Sequence, residues 1–204
     1  YNPTISGVVR SVGSFRKALT ELGNNVFVFS PQMENYIDEE PFIFRYPSVD
    51  IRQFSDIPFV IPISTSIDHI MPSLKLDIIH SHHPVLLGQT AAHKAAKYHI
   101  PLVFTFHSRY WEYSRYIGSI GQDFVKDQID NVLCDYVQKC HHIITPSDSL
   151  KQILFEEYGF GEQITTIPTG VDLALFKSEN KTLQRKKHHW GDEIILISAG
   201  RLAI

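Results

Sequence analysis

The sequence predicts an α/β protein: a parallel sheet with helices on both faces. Two observations carry this reading. Near the N-terminus, a stripe of apolar residues at helical spacing is followed by a short β-branched and aromatic run. From Asp77 onward, strand-like and helix-like segments alternate regularly. Strand, helix, strand at this spacing implies βαβ units with right-handed crossovers, and therefore parallel strands covered on both sides.

Val8, Val12, Phe15, Leu19 and Leu22 recur at helical spacing, and Gly23 follows as a C-terminal cap. "NVFVFSP" (Asn25–Pro31) reads as a buried strand bounded by Asn and Pro. The stretch from Gln32 to Pro72 is irregular and rich in Pro, Ser and Asp, with "FIFRY" and "FVIPI" as short strands. "DIIHSH" is a strand, Val85–Tyr98 an alanine-rich helix, and "PLVFTFH" the next strand. Val125, Ile129, Val132, Leu133, Tyr136 and Val137 stripe one face of a long helix. "HHIITPS" is a strand whose Ser147 caps a helix ending near Gly159, and "ITTIPTG" is a further strand. The polar, basic "KSENKTLQRKKHHWGDE" then breaks the rhythm before "IILISAGRLAI". The expected organisation is a domain over 1–176, a linker over 177–192, and a truncated first strand of a second domain over 193–204.

Composition narrows the function classes. At 204 residues, 43% apolar and 20% charged, the chain can bury an ordinary globular core. A net charge of -3 with scattered basic residues gives no reason to expect nucleic acid as a partner. No run of 18 apolar residues and no leader-like opening suggest a spanning helix or secretion, although the chain begins without methionine. Cys134 and Cys140 lie six residues apart in a helical pattern and, at about 100° per residue, point to different faces. Unpaired thiols fit a reducing cytoplasm.

Ligands of open α/β sheets bind beyond the carboxyl ends of the strands. "HSHHP" (His80–Pro84), "HSRY" (His107–Tyr110) and "TPSDS" (Thr145–Ser149) fall there. "SGVV" at Ser6–Val9 joins them if a strand precedes residue 1, because its glycine would let helix N-terminal amides approach an anion. A metal at "HSHHP" would need carboxylates or a third histidine from other strands, and Pro84 and Val85 follow instead. A structural or substrate-lining role is preferred, and no metal is expected. His107 reads equally as a hydrogen-bonding group in a cleft or as a satisfied core-edge histidine. The rings around Arg109 and Arg115, Trp111 among them, suit packing, a sugar, an acyl chain or a phosphate.

Taken together, these segments resemble a known family. "SGVVRSVGSFRKALTELGNNVFVFSP", "DIIHSHHPVLLGQTAAHKAAKYHIPLVFTFHSRYWEY", "ITTIPTGVDLALF" and "ISAGRLA" occur in the order found in the family 4 retaining glycosyltransferases of GT-B fold. The resemblance covers essentially the whole chain. "SGVV" together with "HS-x-Y-x-x-Y-x-x-Y" is most similar to the bacterial diacylglycerol glucosyltransferases. It implies a Rossmann-like N-terminal half of a GT-B fold, and transfer of a sugar from a nucleotide donor to a membrane glycerolipid. UDP-glucose is the expected donor and no cofactor is implied. By the same resemblance His107 is the active-site histidine, and Gly7 and Arg201 face the donor diphosphate. His82, Arg109, Tyr110 and Tyr113 are expected to line the acceptor side, where a glycerolipid needs both apolar surface and positive charge. The expected location is cytoplasmic, peripheral on the inner face of the membrane.

Some positions depart from the family's pattern. Ser6 precedes Gly7 where Gly-Gly is common, Thr169 replaces an Asn, and His141-His142 stand where Ala-Asp is usual. The family's lysine after "GRL" and its paired glutamates would fall beyond Ile204. Two other classes stay open: a non-catalytic α/β domain binding a sugar phosphate or nucleotide, and a GT-B nucleotide-sugar epimerase. An epimerase should place acidic groups in the cleft, and "HSHHP" and "FHSRY" offer none.

Overall fold

The computed structural model describes residues 1–49, 58–110, 122–173 and 180–198. The chain divides into two compact units, Tyr1–Gly170 and Val171–Ile204.

In the first unit, helix α1 spans Gly7–Glu21. Extended Ser6 precedes it, and its hydroxyl accepts from the Val9 amide at 3.2 Å, satisfying one otherwise unpaired first-turn donor. Gly23, at φ +87°, supplies the left-handed turn that releases the chain after the helix. Strand β1 (Val28–Pro31) pairs in parallel with β2 (Ile43–Tyr46). Arg45 ties this pair to its surroundings: Nε donates to Asp38 at 2.9 Å, and Nη1 donates to the Pro31 carbonyl at 2.9 Å. The guanidinium holds the Asp38 carboxyl below the usual carboxylate range. β3 (Ser48–Val49) and β4 (Phe59–Val60) form a short antiparallel ribbon.

Helix α2 (Thr65–Ile70) and a 3-10 turn (Met71–Leu74) follow, inside the stretch expected to be irregular. The signal for α2 is the Ser64 cap, whose hydroxyl accepts from Ile67 at 3.4 Å, with acidic Asp68 in the first turn. Buried Lys94 on α3 (Leu87–Tyr98) pairs with Asp68 and joins the two helices.

The main sheet has the order β5 (Ile79–Ser81), β6 (Leu102–Thr105), β7 (His142–Thr145), β8 (Ile164–Thr166), all parallel. Helices α3, α4 (Gln122–Gln138) and α5 (Asp148–Tyr158) alternate with its strands. Ser147 caps α5 by accepting from Leu150 at 3.3 Å, and Gly159 closes it at φ +70°, as the sequence indicates. Side chains alternate between the two faces of a strand. One face presents Leu102, Phe104 and Ile143, fully buried with Leu133, Tyr136 and Val137 of α4 and Leu154 of α5. Phe104 and Tyr136 meet edge to face at 5.2 Å. Burying each such side chain contributes about 1.5–3 kcal/mol. The opposite face presents His80 and Thr105, and Phe15 of α1 packs its ring edge on His80 at 5.3 Å. Helices therefore cover both faces, the α/β arrangement read from the strand–helix rhythm.

Cys134 and Cys140 are free thiols. No described helix is long and apolar enough to cross a membrane. In the second unit, α6 (Lys181–Lys187) is capped by Asn180, which accepts from Thr182 at 2.9 Å. Ile194, Leu196 and Ile197 are exposed, and residues 193–198 form no strand.

Candidate functional site

The strands β5 and β6 run side by side with His80 opposite Val103. His80 and His82 are two residues apart on one chain, Thr105 and His107 on the other, so both pairs project from the same face. They meet in two contacts. His80 Nε2 lies 2.7 Å from the Thr105 hydroxyl, and His82 Nδ1 lies 2.9 Å from His107 Nε2. The rings of His80 and His82 are 4.2 Å apart, those of His82 and His107 5.2 Å apart and nearly parallel. Phe15 of α1 covers His80 and His82 from above. His82 and His107 lie just past the carboxyl ends of their strands, the edge where α/β sheets bind ligands.

Local structure holds this arrangement from several sides. The Phe106 amide donates to the Ile144 carbonyl at 2.8 Å, which extends the β6–β7 ladder to the residue before His107. Phe106 is fully buried against the core, so His107 starts from a fixed backbone. On β5, the Tyr136 hydroxyl donates to Ser81 Oγ at 2.5 Å, and Ser81 donates to the His83 carbonyl at 3.3 Å. Gly88 lies against that same carbonyl, where a Cβ would sit 1.8 Å from the oxygen. Leu86 occupies the left-handed region at φ +50°, a strained conformation for a branched side chain, between the histidine segment and α3. This turn explains why α3 begins at Leu87 and not at Val85.

Burial decides the charge of the cluster. It pushes the His80 pKa down to about 4, with His107 adding to the effect. It holds His82 well below the ordinary imidazole range, assisted by His80 and His107, and lowers His107 as well. All three rings are therefore neutral near pH 7. Each carries one N–H and one bare nitrogen, and the 2.9 Å contact joins a donor on one ring to an acceptor on the other.

The remaining sequence-predicted residues divide. Tyr110 packs edge to face on Phe106 at 5.3 Å and on His83 at 5.9 Å, at the rim of the core. Arg109 beside it is exposed. Gly7 opens α1, two turns before Phe15, and a Cβ there would meet no atom within 4 Å. Tyr113, Arg201 and the aromatic run through Trp111, Arg115 and Tyr116 lie outside the described residues. The structure thus joins His82 to His107, packs Tyr110 on their chain neighbours His83 and Phe106, and sets Gly7 at the first residue of the helix whose Phe15 covers His80 and His82. Sequence reasoning weighed His80 only as part of the His-x-His pair of "HSHHP" and did not single out Thr105. The signal was available, since residues two apart on adjacent strands must share a face. Among the described residues, no group of three His, Cys, Asp or Glu side chains is arranged to hold a metal ion.

Comparison with known proteins places this geometry in context. A family model described as Glycosyltransferase Family 4 matches residues 5–175. The chain is 28% identical over 216 aligned residues to "alpha-monoglucosyldiacylglycerol synthase" of Acholeplasma laidlawii, covering 100% of this chain and 54% of that protein. It is 29% identical over 212 residues to the protein of the same name from Streptococcus pneumoniae, covering 100% of this chain and 47% of that one. The chain spans about half the length of the curated relatives it matches.

Proposed function

Because the chain belongs to glycosyltransferase family 4, we propose that the protein transfers a hexose from a nucleotide sugar to a membrane glycerolipid, with UDP-glucose and diacylglycerol as the best-supported pair. The observation that carries this reading is the neutral His82–His107 pair at the carboxyl ends of β5 and β6. Two relatives named for glucosyldiacylglycerol synthesis supply the substrate class.

Each residue has a chemical task in this reading. His107 hydrogen-bonds a hydroxyl of the transferring sugar and holds it for reaction, which a neutral imidazole does without competing for charge with the leaving group. Gly7 admits the donor diphosphate to the first amides of α1, where the helix N-terminus is electropositive. The space beside Gly7 is open, as such an approach requires. Arg201 supplies the second positive group to the diphosphate, so the leaving charge is met without a metal or cofactor. Arg109, Tyr110, Tyr113 and His82 form the acceptor wall, with apolar ring surface for the glycerolipid and positive charge for its polar end. Transfer proceeds with retention at the anomeric carbon. We place the acceptor-side domain at 1–176, the linker at 177–192 and the start of the donor domain at 193–204. The enzyme works at the cytoplasmic face as a peripheral protein.

The test is a product assay on the full-length protein. A panel of nucleotide sugars is offered with diacylglycerol vesicles, with water alone, or with soluble sugar phosphates. A glycolipid formed from UDP-glucose supports the reading. Transfer only to soluble acceptors removes the lipid assignment, and binding without any transfer favours a non-catalytic domain.

A further inference from the structure

We propose that His82 is a positioning residue, whose hydrogen bond to His107 Nε2 fixes the ring orientation and tautomer of His107. For the kinetic consequence, this inference rests on the transferase reading above.

A neutral histidine is chemically ambiguous, because either ring nitrogen can carry the proton. The reaction needs one fixed answer at the nitrogen facing substrate. His107 Nε2 is engaged by His82 Nδ1 at 2.9 Å, with the two rings inclined by only 29°. Whichever way that bond runs, it sets the proton at Nε2 and therefore the opposite state at Nδ1. Histidines that bind metals are set in the same way by the partner on their second nitrogen.

His82 is suited to be the fixed member. Its ring lies against His80 at 4.2 Å, with Phe15 at 6.1 Å. Its backbone is gripped on both sides: Ser81 is buried and bonded to Tyr136, and the His83 carbonyl is pressed against Gly88. His80 is itself held by Thr105 at 2.7 Å, so the stack cannot slide along β5. His107, by contrast, follows the last ladder bond of β6 and has no strand beyond it. The backbone of His107 is fixed by β6, and its ring takes its orientation from β5 through one hydrogen bond.

Two measurements test the proposal. Imidazole nitrogen NMR of the protein should show His107 with one protonated and one bare nitrogen. In His82→Leu the two signals should move toward each other as the tautomers exchange. In the full-length enzyme, His82→Leu should lower kcat about 10–100-fold, the usual loss for a second-layer partner, with KM for the nucleotide sugar within about threefold. His82→Asn, whose amide reaches the place of Nδ1, should return kcat to within about threefold of wild type. Averaged His107 nitrogens in the wild type, an unchanged tautomer in His82→Leu, or no rescue by Asn would each overturn the role. Should His82→Leu fail to fold, the wild-type spectrum and the Asn variant still decide. If the wild type transfers no sugar, the transferase reading fails while the NMR comparison continues to judge His82 alone.

Discussion

Acid should unfold this protein through its histidine cluster, and His80→Gln should expose the contribution of one ring. In the unfolded chain His80 takes up a proton near pH 6.5, whereas burial in the fold delays protonation to about 4. Between those values the unfolded state binds the extra proton, so stability falls as pH falls. At about 1.4 kcal/mol per proton and per pH unit, His80 alone removes about 3 kcal/mol by pH 4. His82 and His107, which face it, are lowered in the same direction and add to the slope. Asp38, held low by Arg45, weakens the fold only at more acid pH than this window. Glutamine keeps a nitrogen near the Thr105 hydroxyl but cannot take up the proton. Urea unfolding followed by circular dichroism at pH 7, 6 and 5 would measure the difference. The variant should match wild type at pH 7 within about 1 kcal/mol, the net worth of one hydrogen bond, and lose stability less steeply below 6.5. Parallel pH profiles for the two proteins would refute the claim that His80 is buried as a neutral base.

Other consequences follow from the same packing. Gly88→Ala would place a Cβ on the His83 carbonyl, and the forced backbone shift should cost about 1–3 kcal/mol, visible as a lower Tm. An unchanged Tm would mean that α3 does not approach the histidine segment so closely. Tyr136→Phe removes the hydroxyl that bonds Ser81 in the core, with an expected loss of about 1–2 kcal/mol by chemical denaturation. Asp68→Ala strands the Lys94 ammonium, while Lys94→Met should be better tolerated because it removes the buried charge itself. Arg109 and Lys126, both exposed, together with Arg115, would contribute about 3 kcal/mol at an anionic surface. Vesicle co-sedimentation of full-length protein should then weaken with salt and in Arg109→Glu/Arg115→Glu. Equal, salt-insensitive partitioning would remove that surface.

The strand–helix rhythm from Asp77 was readable because short β-branched or aromatic runs alternate with longer helical stretches, alanine-rich in α3 and apolar-striped in α4. Ser147 and Gly159 announced the two ends of α5 by cap chemistry alone. Helix α2 was not readable in the same way: six residues give too few turns for a period, and only Ser64 and Asp68 mark it. The start of α3 was misjudged by two residues because the Leu86 turn is imposed by packing of Gly88 on His83, which no local pattern reports. At the site, "HSHHP" and "FHSRY" drew attention as histidine-rich strand ends. That His82 bonds to His107 and His80 to Thr105 depends on the register between β5 and β6, a long-range property.

The most direct measurement of the account is glucose transfer from labelled UDP-glucose into diacylglycerol vesicles by full-length enzyme, wild type against His107→Ala. The wild type should form labelled glycolipid. The variant, folded and still able to bind vesicles, should be slower by about two to three orders of magnitude, the loss typical of one positioned polar group. Near-wild-type turnover in His107→Ala would show that the β5–β6 histidine pair only packs the edge of the core, and would contradict the assignment of this site.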